Sequence, residues 1–256
     1  MNNDVNVYAA KGFQTAADAY ERGRPDYPQD AIDFLIGQLG LKTGAIVADV
    51  GAGTGKFTRR ILKSRATVIG VEPVEGMRRK FSAILPDSEI LDGTAERLPF
   101  DDQVLDAIVV AQAFHWFDGD RALNEFHRVL KPGGMVGLIW NARDESAAWL
   151  KQLGSIIDRY EGTAPRYKSG KWKRAFSATT LFAPLQHAVF SHAQEGDVNM
   201  VVDRVLSISF IASLATNDRQ MIARQVRELI ETHPDIQSSA HISVPYHTDV
   251  FVTTRL

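Results

Sequence analysis

Ala45-Ile46-Val47-Ala48-Asp49-Val50-Gly51-Ala52-Gly53-Thr54-Gly55 sets the reading of this chain, because a short apolar run passes directly into three closely spaced glycines. Ala45–Val50 is apolar except at Asp49, the pattern of a central parallel strand covered on both faces. The glycines let the backbone turn sharply and approach a ligand without side chains in the way. The helical pattern of Lys56–Leu62 follows, and a helix start offers free amides and the positive end of its dipole to an anionic group.

Spacing separates the ligands such a loop serves. A nucleotide-triphosphate loop needs four residues before a Gly-Lys-Ser/Thr, but three residues separate Gly51 from Gly55 and Phe57 stands at the hydroxyl position. A dinucleotide fingerprint places two residues between its last glycines, whereas Gly53 and Gly55 have one between them.

The 256 residues suit one elaborated α/β domain, read here as an N-terminal lid and first helix (1–44), a cofactor-binding core (45–141) and a substrate-side part (142–256). A formal charge of −2 exerts no global pull toward nucleic acid or anionic membrane. The absence of cysteine removes disulfides, thiolate zinc sites and a cysteine nucleophile. Met1–Tyr8 is polar and lacks the basic and apolar segments of a secretory signal. Apolar runs fall short of the about 18 residues of a membrane span, so a cytoplasmic protein, monomeric or homodimeric, is expected.

A short helical pattern over Phe13–Tyr27 is broken by Gly23 and Pro25, and Pro28–Leu39 carries Ile32, Leu35, Ile36 and Leu39 at helical spacing. Strands are then predicted at 67–71, 89–91, 105–111 and 135–141, with helices at 77–85 and 121–130, the latter closed by Lys131-Pro132-Gly133-Gly134. Strands alternating with helices imply right-handed crossovers and a doubly wound, mostly parallel sheet. Helical stretches at 146–160 and 172–182, a strand at 186–193, a helical block over 198–232 and a β-branched run at 240–254 complete the pattern. The 198–232 block reads as a helical cap inserted between the last two of seven strands.

Glu72 follows Val68-Ile69-Gly70-Val71, which places a carboxylate at the carboxyl end of the second strand, where it can accept from both ribose hydroxyls of a nucleoside. Asp49 is the one charge in its strand, and a buried carboxylate needs a donor: turn amides or the ammonium of a bound amino-acid moiety. Asp92-Gly93-Thr94-Ala95-Glu96, after the third strand, is either a loop that reads a ligand edge or an ordinary turn. Ala111-Gln112-Ala113-Phe114-His115-Trp116-Phe117-Asp118 closes the fourth strand; its aromatics either stabilise a cationic ligand and exclude water or pack the core. His115 is either a general base for a hydroxyl substrate or the partner of a local bond. His187 and His192 face opposite sides of a strand, and no metal site is expected. Lys168–Arg174, a basic cluster around Trp172, is either a grip for an anion or RNA or a solvated helix start.

The spacing Asp-x-Gly-x-Gly-x-Gly with Glu72 about twenty residues on resembles the first motif of class I S-adenosylmethionine-dependent methyltransferases. Ala19-Tyr20, Arg24-Pro25, Tyr27-Pro28, Gly93–Pro99, the aromatic-histidine segment and Leu130–Gly134 together resemble the methyltransferase type 11 group. Within it, His192-Ala193-Gln194, Arg204–Phe210 and Pro245–Thr248 resemble the trans-aconitate and cantharidin methyltransferase-like branch. The resemblance implies a Rossmann-like methyltransferase fold and methyl transfer to a small-molecule oxygen, with S-adenosylmethionine as cofactor. It places Tyr20, Arg24, Asp49, Gly51, Ala52, Gly53, Thr54, Gly55, Glu72, Pro73, Met77, Thr94, Ala95, Glu96 and Gln112 around the cofactor. Arg24 is a candidate partner for the methionine carboxylate. Many relatives carry an acid where Thr94 stands, so Ala95 or Glu96 would take over the adenine contact. Trp116, Trp140, Asn141, His192, Arg204 and Tyr246 are implied for the acceptor pocket. A tRNA-modifying methyltransferase and a non-catalytic cofactor-binding protein are the alternatives.

Overall fold

The computed structural model describes residues 23–237, 239 and 241–256. Seven strands form one sheet: β1 (Ile46–Val50), β2 (Thr67–Val71), β3 (Ile90–Leu91), β4 (Leu105–Ala111), β5 (Leu130–Arg143), β6 (Gln186–Gly196) and β7 (Ile242–Thr254), in the order β3-β2-β1-β4-β5-β7-β6. The first five run parallel, with Val47 opposite Ala107 and Ile108 opposite Val136. β7 is antiparallel to both β5 and β6. The strand order reverses at β1, so the connections to β2 and β4 leave to either side and open a crevice at the carboxyl edge.

Both faces of the sheet are covered, which is why β1 and β4 are apolar apart from one aspartate each, Asp49 and Asp106. On one face α1 (Gln29–Gln38) packs Ala31, Ile32 and Leu35 against Val47, Val109, Ile139 and Val250. On the other, α4 (Gly119–Val129) packs Leu123, Phe126 and Val129 against Ile108, Val110 and Leu138. α2 (Thr58–Ile61) follows the glycine loop, and α3 (Glu75–Ile84) joins β2 to β3. Beyond β5 come α5 (Ala148–Asp158) and α6 (Lys173–Ala178). The connection from β6 to β7 carries α7 (Val198–Leu206), α8 (Ser209–Ala212) and α9 (Thr216–Thr232). These helices and α5 form a third apolar cluster, including Trp149, Val205, Ile222 and Tyr246.

Three local readings need correction. The 198–232 block is three helices, broken where Ser207 and Ser213 hydroxyls bond the carbonyls of Arg204 and Phe210 at 2.7 and 2.9 Å, local bonds that compete with helix continuation. β5 starts at Leu130, five residues earlier than the sequence pattern suggests. Leu130 is buried and already paired with Leu105, and Lys131–Gly134 is absorbed in a register shift before Ala107 meets Met135. The helix after the glycine loop is one short turn, continued as a 3-10 turn over Leu62–Ser64 and ended by Arg65 at φ 63°. Of the segment read as a short helix over 13–27, residues 13–22 lie outside the described residues.

Candidate active site

The glycine loop turns at the carboxyl end of β1. Gly51 has φ +75°, and a Cβ there would stand 2.8 Å from the Ala113 Cβ, so the turn and the approach of the β4 loop both require glycine. The loop spends the amides of Gly51, Ala52, Gly53 and Gly55 internally. Gly51 and Ala52 N–H groups donate to the Val71 carbonyl at 2.8 and 3.2 Å, and Gly55 to Ala52 at 2.9 Å. The Gly53 amide donates to Glu72 Oε2 at 3.0 Å, while Val74 donates to Oε1 at 2.9 Å. The loop thus offers a ligand its shape and one oriented carboxylate, not a nest of amides for phosphate. Burial raises Glu72 to about 6 against the opposing effect of the Val74 and Gly53 amides.

Asp49 is fully buried under this loop. The Thr58 hydroxyl donates to Oδ2 at 2.6 Å, and Oδ1 is buried without a partner. Burial pushes its carboxyl up to about 7, with Thr58 opposing and Glu72 adding to the rise. A buried acceptor without a donor costs about 1–3 kcal/mol, which a cationic ligand group would recover. Asp49 lines a small cavity with Arg24, Tyr27, Lys56, Gln112 and Arg204. An amino-acid ammonium at Asp49 and a nucleoside ribose at Glu72 are the two ends this geometry suits.

Gln112, at the end of β4, adopts φ +59°, a strained conformation for a residue with a side chain. It lines both that small cavity and a larger one of about 310 Å³, as do Arg24 and Arg204. The larger cavity is walled by His115, Trp116, Asn141, Arg143, Arg166, Lys168 and Phe210, among others. His115 Nδ1 accepts from the Trp140 indole N–H at 3.2 Å. An indole only donates, so Nδ1 carries no proton and neutral His115 keeps its proton on Nε2. Burial drives His115 down to about 3, with the charges of Arg24 and Arg166 adding to the effect, so the ring is neutral at physiological pH. His115 therefore presents a donor, not a base.

The residues implied for the site divide clearly. Trp116, Asn141, Arg204 and His115 reach the larger cavity, and Arg24, Asp49, Gly51, Ala52 and Gln112 the smaller. Trp140, His192 and Tyr246 wall neither. Trp140 is fully buried between Tyr167 and Trp172, with ring centroids 4.7 and 4.6 Å away. His192 and Tyr246 stack at 5.5 Å, and His192 bonds Thr248, which donates to Asn141 Oδ1 at 2.6 Å. Asn141 in turn donates to the Asp26 carbonyl at 3.0 Å, and Arg24 to the Ser207 carbonyl at 3.3 Å, anchoring the segment before α1 over the crevice. Thr94 Oγ1 is buried without a partner, a candidate for an adenine edge, whereas Glu96 is engaged by the Asp118 amide at 2.9 Å. Ala95 and Met77 are buried; Pro73 is partly so. Thr54 is buried beside the loop glycines. Phe114 belongs to the core, packed on Phe117, Phe126 and Phe176. Tyr20 lies outside the described residues. Arg143 and Arg166 were not anticipated. Arg143 ends an apolar strand at the sheet's ligand-binding edge, and that position was the available signal.

A seven-stranded, mostly parallel sheet with β7 reversed, a glycine loop after β1 and a carboxylate after β2 defines a Rossmann-like methyltransferase fold. Residues 48–138 match the methyltransferase domain family model. An uncharacterized methyltransferase of Mycobacterium tuberculosis is 38% identical over 236 residues, 92% of each chain. An uncharacterized methyltransferase-like protein of Schizosaccharomyces pombe is 32% identical over 250 residues, 96% of each. Among solved structures, one described as a methyltransferase from an antibiotic biosynthesis pathway of Anabaena variabilis superimposes with TM-score 0.66 at 19% identity, covering 92% of this chain and 99% of the other. The YcgJ protein of Bacillus subtilis does so with TM-score 0.59 at 20% identity, covering 89% and 99%. The chain belongs to the methyltransferase family, whose fold implies a methyl donor of the S-adenosylmethionine type. No helix among the described residues is long and apolar enough to cross a membrane.

Proposed function

We propose that this protein transfers the methyl group of S-adenosylmethionine to an oxygen of a small-molecule acceptor. The observation that carries the reading is the buried, unpartnered Oδ1 of Asp49 beside the glycine loop, with Glu72 held by two backbone amides at the next strand end. Asp49 would take the donor's ammonium, Glu72 its ribose hydroxyls, Thr94 its adenine edge and Arg24 its carboxylate. The bound donor would supply an electrophilic methyl on a sulfonium; the chain's own residues position the acceptor and exclude water.

The acceptor cavity meets this site at Arg24, Gln112 and Arg204. His115, neutral with its proton on Nε2, favours an acceptor oxygen that needs no base. A carboxylate, ionised at neutral pH, meets that condition. RNA finds little footing in the basic cluster. Lys168 is bonded to Asp158 at 2.6 Å, Trp172 is buried, and Lys173 lies over the Trp172 and Phe251 rings.

Calorimetric titration with S-adenosylmethionine, its demethylated product and nicotinamide dinucleotides tests the cofactor. Isotope-labelled methyl transfer over small carboxylic acids and phenols tests turnover. Binding of a dinucleotide alone would overturn the proposal, and cofactor binding without transfer to any acceptor would leave a cofactor-binding protein.

A further inference from the structure

Two guanidinium groups from separate parts of the fold meet in the wall of the larger cavity. Arg143 ends β5 with its side chain 11% exposed; its Nη2 donates to Glu145 at 2.8 Å, and its Nε is buried without a partner. Arg204, on α7, has both Nε and Nη1 buried without a partner. The other cations of this wall, leaving aside Arg24, are answered: Arg166 meets Asp158 and Glu161 at 3.1 and 2.7 Å, and Lys168 meets Asp158 at 2.6 Å. Arg204 alone of these four has no carboxylate within ion-pair distance among the described residues.

Burial and the nearby charge of Arg204 both disfavour the charged form of Arg143, with Glu145 opposing. A buried cation without a counter-charge is strongly destabilising; the buried Nε and Nη1 of Arg204 are in that position, and Arg143, repelled by Arg204, has Glu145 as its one ion-pair partner among the described residues. An anion between them would satisfy three open donors and the surplus charge together.

We propose that the methyl acceptor carries an anionic group, a carboxylate, that docks between Arg143 and Arg204 as an anchor distinct from the oxygen that is methylated. The distinction follows from charge. Methylating the docked carboxylate would neutralise it and leave Arg204 without a counter-charge again, whereas an anchored carboxylate keeps its charge through the reaction. The acceptor is then bifunctional, an anchor plus a reacting oxygen, such as a dicarboxylate or a hydroxy acid. A cavity of about 310 Å³ is at the small end of ligand pockets, which fits a compact molecule of this kind. The inference rests on the cofactor assignment proposed above.

The test is calorimetry on the full chain saturated with demethylated cofactor product. Dicarboxylates from succinate to adipate are each compared with the corresponding diamide, and 4-hydroxybenzoate with 4-hydroxybenzamide. The charged member of a pair should bind about 10-fold or more tighter, the size of a charge-assisted hydrogen bond. Arg143→Gln and Arg204→Gln should erase that preference while still binding the demethylated cofactor, which also reports that they fold. No preference in the unaltered protein, or no binding by any charged compound, overturns the anchor while the cofactor reading stands. Failure of the demethylated cofactor to bind overturns the underlying function and the inference with it. If Arg204→Gln loses the cofactor and Arg143→Gln keeps the carboxylate preference, both residues are misassigned and the anchor is refuted.

Discussion

Binding of the cofactor's amino-acid end should expel a proton from Asp49. In the free protein this carboxyl sits at about 7 because it is buried, with one oxygen unpartnered. At pH 6.0 a group of that pKa is about 0.9 protonated. Pairing with an ammonium group, itself fully protonated at that pH, favours the ionised carboxylate, so association of S-adenosylhomocysteine should release about 0.9 proton from Asp49. Calorimetry at pH 6.0 in buffers of differing ionisation enthalpy reads the number from the slope of observed against buffer enthalpy. Glu72, raised to about 6, adds up to about half a proton in any variant that retains it. The difference between the unaltered protein and Asp49→Asn isolates Asp49. The variant should also bind about 10- to 100-fold more weakly, having exchanged an ionic hydrogen bond for a neutral one. Equal proton release by both proteins, or release near zero by the unaltered one at pH 6.0, would refute the pairing.

Other consequences are independent of the ligand. Asp49's folded pKa exceeds its unfolded value of 3.8, so its contribution to stability is full below about pH 4 and is lost as pH rises through about 7. The loss has a ceiling of about 4 kcal/mol; thermal melts of the free protein should fall across this window, and those of Asp49→Asn should fall less. Gly51→Ala, which puts a Cβ 2.8 Å from Ala113 at positive φ, should lower urea stability by about 2–3 kcal/mol. Gly53→Ala, also at positive φ but with nothing within 4 Å, should cost about 1 kcal/mol; equal costs would count against the close approach as the reason for glycine. Trp140→Phe removes the donor to His115 Nδ1 and should destabilise by about 2–4 kcal/mol. Nitrogen NMR of His115 should pass from a single Nε2–H tautomer to a mixture, and an unchanged spectrum would deny Trp140 its orienting role.

The cofactor half of the fold was legible because its signals are local. A buried strand, a glycine run at fixed spacing and a strand-end acid are each contained in a few residues, and the five parallel strands follow from simple alternation. The start of β5 was not legible, since Pro132-Gly133-Gly134 carries a strong turn signal while the pairing of Leu130 with Leu105 is a tertiary contact. The acceptor side was harder still. Arg143 and Arg204 stand 61 positions apart in a chain with 29 Lys and Arg, and neither is distinguished until β5 and α7 converge on one cavity. Trp140 illustrates the converse. The family resemblance implied substrate contact for this aromatic, but its ring is buried in the core and its N–H bonds His115.

The reversed direction of β7 also bears on how such a protein diversifies. Because β6 and β7 run antiparallel, the chain leaves and re-enters the sheet at the same edge, the one that carries the crevice. A connection of that kind can lengthen, shorten or be exchanged without rethreading the sheet, and here it delivers Arg204 directly over the site. Ancestral copies could therefore have changed what they modify by altering this one excursion while inheriting the methyl-donor machinery intact. Grafting the β6–β7 connection of a relative onto this sheet is the corresponding laboratory shortcut to a new acceptor preference.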